Sequence, residues 1–289
     1  MNPLKMLSGV LGIACALLAV PAHAQEKSRL DEVRERGRII VGTSSEAPPF
    51  GFIDEKGELV GFDIDIAKLV ARTIFGEDGH IEFVKQGFAA RWANVQAGKI
   101  DFGIQVTTIH SQRPLEVAFT QGYMDSTNVI ISRKDAGIRE ITDANRDTVT
   151  MANLTVPAQE ERAKRYFPKA KIITFDTTAA QFTAVKMGRA TAAQLDLPQA
   201  LYYAKLNPEM VVTKDFLTPP TNNAIFSKKG DFQWWLLLDT LVGEMRGGFL
   251  YEDYADIYRK WFGQRPPHAR YYVEQQLRAA EGAPPKAAD

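Results

Sequence analysis

The chain is poor in the residues that carry most catalytic and cross-linking chemistry. One of its 289 residues is cysteine, Cys15, and four are histidine: His23, His80, His110 and His268. Cys15 lies in an N-terminal apolar segment, and without that segment no thiol remains for disulfides, thiolate catalysis or cysteine-bound metal. The histidines are scattered without metal-ligand spacing, and no His-Glu-x-x-His occurs. Glycine-rich phosphate loops and Gly-x-Ser-x-Gly elbows are missing too. So is net charge: 35 basic residues face 35 acidic ones, which argues against nucleic acid or an acidic membrane surface as the main partner. No cofactor, metal or catalytic residue is expected.

What is present begins with an address. Lys5 supplies a positive n-region, Met6 to Val20 an apolar run relieved by Ser8, and Ala22-His23-Ala24 a cleavage site before Gln25. A membrane span needs about 20 apolar residues, more than this run supplies. A lipidated start at Cys15 would follow Gly12-Ile13-Ala14, a poor lipidation box. Residues 1–24 therefore read as a signal peptide cleaved near Ala24, and no later stretch is long and apolar enough to span. The expected product is soluble, periplasmic and monomeric.

The rest alternates helix and strand. Leu30 to Arg36 predicts a helix closed by Gly37, and Arg38 to Thr43 a β-branched strand. Phe62, Ile66, Leu69, Val70 and Ile74 share one helical face, with Asp63 and Asp65 at its favourable positive end. Strands at Ile81–Val84 and Ile100–Gln105 flank a helix over Arg91–Ala97. Asn128–Ile131 and Asn222–Phe226 read as strands crossing between two halves. The second half predicts strands from Thr148, Lys171 and Ala190, and a helix from about Thr155, which would cap it. Aromatic-rich helices at Asp231–Met245 and Tyr251–Phe262 close the chain, their side chains read as core. Repeated β-α-β units imply mostly parallel sheets covered on both faces. The expected division is 25–126 plus 225–265 as one lobe, 127–224 as the other, and a tail over 266–289.

Asp101 to Arg113, DFGIQVTTIHSQR, organises the chemistry. A buried strand delivers a loop of Thr107, Thr108, His110, Ser111 and Gln112, then Arg113, whose planar fork can hold a carboxylate. These residues could equally cap the next helix, with Arg113 solvated, and His110 could be a packing residue. Asp196 at a strand's carboxyl end suits an ammonium, and Thr108 and Thr155 offer hydroxyls. Two lobes presenting Arg113 and Asp196 could clamp an amino acid, provided both charges are matched.

Five pieces in order carry a resemblance: GRIIVGT and PPFGF within 37–52, GELVGFDIDIAKLVA at 57–71, AGKIDFGIQVTTIHSQRPLEVAFTQGY at 97–123, MGRATAAQLD ending at Asp196, and DIYRKWFG at 256–263. Together they resemble the amino-acid-type extracellular solute-binding proteins of ABC importers, nearest the polar amino acid binders. The resemblance implies an α/β, two-lobed type II periplasmic-binding-protein fold with two crossing strands, closing by hinge bending around ligand. It implies that Arg113, Thr108 and Thr155 hold the α-carboxylate, and that Asp196 and the Val106 carbonyl hold the ammonium. Phe88 would cover the ligand and Phe50 would border the cleft. The partner would be a membrane permease. Ser44, Ser45, Arg91 and His110 are candidate side-chain readers. The sequence departs from the pattern at Ala47, Leu154 and His110. Two alternatives follow: an accessory protein that binds a partner instead of an amino acid, and a cyclohexadienyl dehydratase-like enzyme using Asp196, His110 and Glu160.

Overall fold

The computed structural model describes residues 27–76 and 80–266, so the expected signal peptide and nearly all of the expected tail lie outside the described residues. The first helix, α1 (Arg29–Arg36), is capped by the Ser28 hydroxyl, which accepts from the Leu30 N–H, and ends at Gly37 with φ 68°. Strand β1 (Ile39–Thr43) is followed by three short strands, β2 (Glu46–Ala47), β3 (Gly51–Ile53) and β4 (Leu59–Val60), that form their own antiparallel sheet. Helix α2 (Phe62–Phe75), strand β5 (Ile81–Lys85), helix α3 (Arg91–Gln96) and strand β6 (Phe102–Gly103) continue the alternation, and β7 (Ala118–Ser126) leads out of it.

The second half runs β8 (Asn128–Arg133), β9 (Thr150–Leu154), α4 (Pro157–Tyr166), β10 (Lys171–Phe175), α5 (Thr178–Lys186), β11 (Ala192–Asp196), α6 (Leu197–Leu206) and β12 (Met210–Val212). Then β13 (Thr221–Ser227), α7 (Phe232–Gly247) and α8 (Tyr251–Phe262) return to the first.

Each half is built on one five-stranded sheet of the same pattern. The orders are β5-β1-β6-β13-β7 and β10-β9-β11-β8-β12. In the first, β1 runs parallel to β5 and β6, while β13 is antiparallel to β6 and β7. In the second, β9 runs parallel to β10 and β11, and β8 is antiparallel to β11 and β12. The chain passes between sheets twice, through Thr127 from β7 to β8 and again between β12 and β13. This is the expected α/β architecture of two lobes joined by two crossing segments. Among the described residues no helix is long and apolar enough to cross a membrane.

The aromatics of the last two helices seal the first lobe, as their spacing predicts. Trp234 is 1% exposed, and its indole N–H donates to the Asp101 carbonyl at 2.9 Å. The Tyr254 hydroxyl donates to the Tyr123 carbonyl at 2.7 Å. An indole or phenol pays for its burial only when its polar end finds such a partner. Phe50 belongs to the same core. It is fully buried, with its ring centroid 6.1 Å from both Phe62 and Phe262, so it packs beneath the cleft rather than bordering it.

Two local expectations shift. The strand read over Ile100–Gln105 pairs formally at Phe102 and Gly103 alone, although Asp101 and Ile104 still donate to Ile40 and Gly42. The Phe226 ring lies so close over Gly103 that a Cβ there would come within 2.0 Å of it, and β13 joins β6 at that one position. Thr155 does not cap α4. Pro157 occupies the first turn and sets the cap at Val156, while the Thr155 N–H extends the β9–β10 pairing to the Phe175 carbonyl.

Candidate functional site

The carboxyl ends of β6 and β11 face each other across a cavity between the lobes. The first lobe lines it with Phe88, Arg91, Val106, Thr108, His110 and Arg113. The second supplies Leu154, Val156, Arg162, Asp196 and their neighbours. Loops beyond the carboxyl ends of parallel strands are where open α/β sheets bind ligands. The lobes also touch directly: the Thr178 hydroxyl donates to the Glu46 carbonyl at 3.1 Å, and the Gln199 amide to the Pro48 carbonyl at 3.3 Å.

Arg113 opens a single 3-10 turn and is half-buried. One of its guanidinium nitrogens donates to the Thr108 carbonyl. Among the described residues no carboxylate lies within 4 Å of it. Burial lowers its pKa to about 10, Asp196 pulling the other way and Arg162 reinforcing the fall. This is a cation held in place with its charge unspent.

Asp196 ends β11 and is held by three donors. Asn128 Nδ2 reaches Oδ1 at 2.9 Å, while Ser126 Oγ and Asn223 Nδ2 reach Oδ2 at 3.1 and 3.2 Å. Burial raises its pKa, and the bond from Asn223, the charge of Arg162 and the bond from Ser126 oppose the rise. All three donors stand on or beside the crossing strands, so the carboxylate is oriented from the hinge. Asn223 also ties the lobes together, because its Oδ1 accepts from the Thr108 hydroxyl at 3.1 Å.

The floor is set by backbone. Val106 has φ 44°, the sole left-handed residue other than glycine among those described. Its N–H donates to Asp63 Oδ2 at 3.0 Å, and the Tyr123 hydroxyl donates to Oδ1 at 2.7 Å. Opposite, α4 begins without a side-chain cap, and Val156, Ala158 and Gln159 of its first turn line the cavity. Pro157 has no N–H, and those of Val156 and Gln159 donate to the Leu154 and Val156 carbonyls, so this helix start offers an anion its partial positive charge and the Ala158 N–H.

Comparison with known proteins agrees with this geometry. Residues 39–264 match the profile of the bacterial extracellular solute-binding proteins, family 3. The chain belongs to that family. This solute-binding protein is 25% identical over 268 residues to the ABC transporter glutamine-binding protein GlnH of Bacillus subtilis, covering 91% of this chain and 96% of that one. Among solved structures, an ancestral amino acid-binding protein described as a precursor of cyclohexadienyl dehydratase, AncCDT-1, shares 34% identity at a TM-score of 0.74 over 81% of this chain and all of its own. A mutant of ArgBP from T. maritima shares 29% identity at a TM-score of 0.72, over 82% of this chain and all of its own.

Of the residues singled out in the sequence of this solute-binding protein, Arg113, Thr108, Asp196, Phe88, Val106 and His110 converge on the cavity, as does the candidate reader Arg91. His110 is half-buried, its pKa lowered by burial and by the Arg113 and Arg162 charges. Thr155 does not line the cavity. It is exposed, and its hydroxyl donates to the Phe175 carbonyl at 3.3 Å. Ser44 and Ser45 also lie outside the lining; the Ser44 hydroxyl is occupied by the Glu46 N–H at 3.1 Å. Ala47 is fully buried outside the lining, whereas Leu154 lies within it. Arg162, Gln159 and Asn128 escaped notice. Arg162 is four residues, about one turn, past the lining residue Ala158 on the same helix, a spacing that could have been read from the sequence.

Replacing Asn223 by alanine removes one donor from Asp196 and the acceptor of Thr108. A hydrogen bond to a charged group contributes about 1.5–3 kcal/mol. The expected outcome is roughly a tenfold or greater rise in the Kd of the bound amino acid, read by calorimetry, with the α/β circular dichroism unchanged.

Proposed function

We propose that this protein captures a polar amino acid between its two lobes outside the cytoplasmic membrane and delivers it to the permease of an ABC importer. The observation that carries the reading is the convergence of Arg113 from one lobe and Asp196 from the other on a single cavity. An amino acid bears a carboxylate and an ammonium on one carbon, so it satisfies both groups only while bridging the lobes. Closure then gains contacts that the open form lacks, which is the differential affinity a conformational change requires. Thr108 and the first turn of α4 support the α-carboxylate, and the Val106 carbonyl supports the ammonium. The relatives named for glutamine and arginine binding point the same way. Export with cleavage near Ala24 and action as a monomer complete the proposal.

The dehydratase alternative loses support from the site. Of the three residues considered for it, Asp196 and His110 line the cavity but Glu160, the acid, does not. A thermal-shift screen over the twenty amino acids, with prephenate and arogenate added, tests the proposal. A ligand at about 100 times its Kd stabilises the folded state by about 2.7 kcal/mol, a rise of a few degrees in Tm for a chain of this size. The expected hits are polar amino acids. No hit at millimolar concentration would overturn the proposal in favour of a partner-binding protein, and consumption of prephenate or arogenate would overturn it in favour of an enzyme.

A further inference from the structure

The cavity holds more positive charge than a zwitterion can use. Three guanidinium groups line it, those of Arg91, Arg113 and Arg162, against the single carboxylate of Asp196. An α-carboxylate and an α-ammonium engage one group of each sign and leave two cations unmatched.

Arg91 is the most demanding of them. It opens α3 and is 4% exposed. One terminal nitrogen reaches the Thr107 hydroxyl at a long 3.4 Å, and its Nε has no acceptor. Its guanidinium carbon stands 4.3 Å from the Trp92 ring centroid and 5.5 Å from that of Phe88. Those rings account for its burial without neutralising it, and among the described residues no carboxylate lies within 4 Å. Asp196 does not pair with it, and the acceptor capacity that Ser126, Asn128 and Asn223 leave on that carboxylate is the ammonium's. A buried, uncompensated charge is costly, and burial together with the Arg113 charge pulls the Arg91 pKa far down. From the other lobe, Arg162 spends only its Nε, on Gln194 Oε1 at 3.3 Å. Glu161 lies farther out, on the exposed lip of the cleft.

We infer that the ligand carries a second carboxylate, that of an acidic amino acid side chain, and that Arg91 and Arg162 read it from opposite lobes. This rests on the amino acid reading above and narrows it. The α-carboxylate goes to Arg113, the ammonium to Asp196 and the side-chain carboxylate to the remaining pair. Cationic amino acids are excluded because they would add a third unmatched positive charge. Amides match the acids in size and shape but leave the field of the site uncompensated.

The test is calorimetric titration of the exported protein, refolded from denaturant to remove carried ligand, with L-glutamate, L-aspartate, L-glutamine, L-asparagine, L-arginine and L-lysine. The expected result is an acid that binds at least about tenfold more tightly than its own amide, roughly the discrimination one charge-assisted hydrogen bond supplies. Neither arginine nor lysine should bind at about millimolar concentration. Arg91→Met should bring the acid-to-amide ratio close to one, chiefly through loss of acid affinity, and raise the Tm of the empty protein by removing an unpaired buried charge. If Arg91→Met does not fold, Arg162→Gln, at a half-buried position, carries the same ratio test.

An amide or a cation binding as tightly as the acid would overturn the inference, as would an unchanged ratio in the variant. If such a ligand still loses binding in Arg113→Ala, the amino acid reading survives and only the side-chain assignment fails. If none of the six binds, the inference falls, and the screen over all twenty amino acids decides the wider reading separately.

Discussion

Arg113→Ala is expected to abolish amino acid binding while leaving the fold intact. The guanidinium touches one protein acceptor, the Thr108 carbonyl, and among the described residues it pairs with no carboxylate, so little native structure depends on it. Its burial costs free energy, as the fall in its pKa to about 10 records. The empty variant should therefore melt at the wild-type temperature or slightly above. Binding is another matter. The ligand's α-carboxylate enters the cavity, and without Arg113 the groups left to hold it are the first turn of α4 and Thr108, whose hydroxyl proton is already given to Asn223. Truncating one partner of a desolvated, hydrogen-bonded charge pair costs about 2–5 kcal/mol, and the bidentate geometry of arginine places this case toward the upper end. About 4 kcal/mol is roughly a thousandfold in Kd. Calorimetry on wild type and variant decides it, and a Kd within about threefold of wild type would remove Arg113 from the site. Arg113→Lys should recover only part of the loss, since a point charge cannot reproduce two parallel bonds.

How much of this was legible in the chain depended on whether the signal was local. Periodicity and glycine stops placed most helices within a residue or two, as at α1 before Gly37 and α3 before Gly98, because those signals sit within one or two turns of sequence. Thr108, His110, Arg113 and Asp196, singled out in the sequence, come together at the cavity because each follows a buried strand whose carboxyl end borders the cleft. Phe50 and Thr155 were misplaced for a common reason. Each lies next to a loop near the cleft, and sequence adjacency does not say which way a side chain turns. Phe50 turns down into the cluster of Phe62 and Phe262, and Thr155 remains on the β9–β10 edge because Pro157 delays the helix. The partnerless state of Arg91 was invisible, since the absence of a carboxylate near it is a property of three-dimensional packing. So was the role of Asp63. At the second position of a helix it reads as an acidic residue favouring the dipole, yet it is completely buried and engages Val106, 43 residues away.

That buried carboxyl gives the second large effect, a stability that falls as pH rises. Asp63 accepts from the Tyr123 hydroxyl and the Val106 N–H, and those bonds pull its pKa down. Burial outweighs them and, with a small contribution from Asp196, raises the pKa from 3.8 to about 7. Between about pH 4 and pH 7 the folded protein therefore holds a proton that the unfolded chain has released. Stability must decrease with pH through that window and level off above it, by about 1.4 kcal/mol per unit or about 4 kcal/mol in all. Asp63→Asn keeps an oxygen for the Val106 N–H and offers an amide N–H to a rotated Tyr123 hydroxyl, mimicking the protonated acid. It should match wild type near pH 4 and exceed it above about pH 7, which urea unfolding across that range would measure; parallel curves for the two proteins would sink the argument. Asp63→Ala should lose stability at every pH, because it strands two buried donors, each costing about 1–3 kcal/mol. It should also weaken ligand binding, since Val106, a β-branched residue at φ 44°, keeps that disfavoured conformation only while Asp63 holds its N–H.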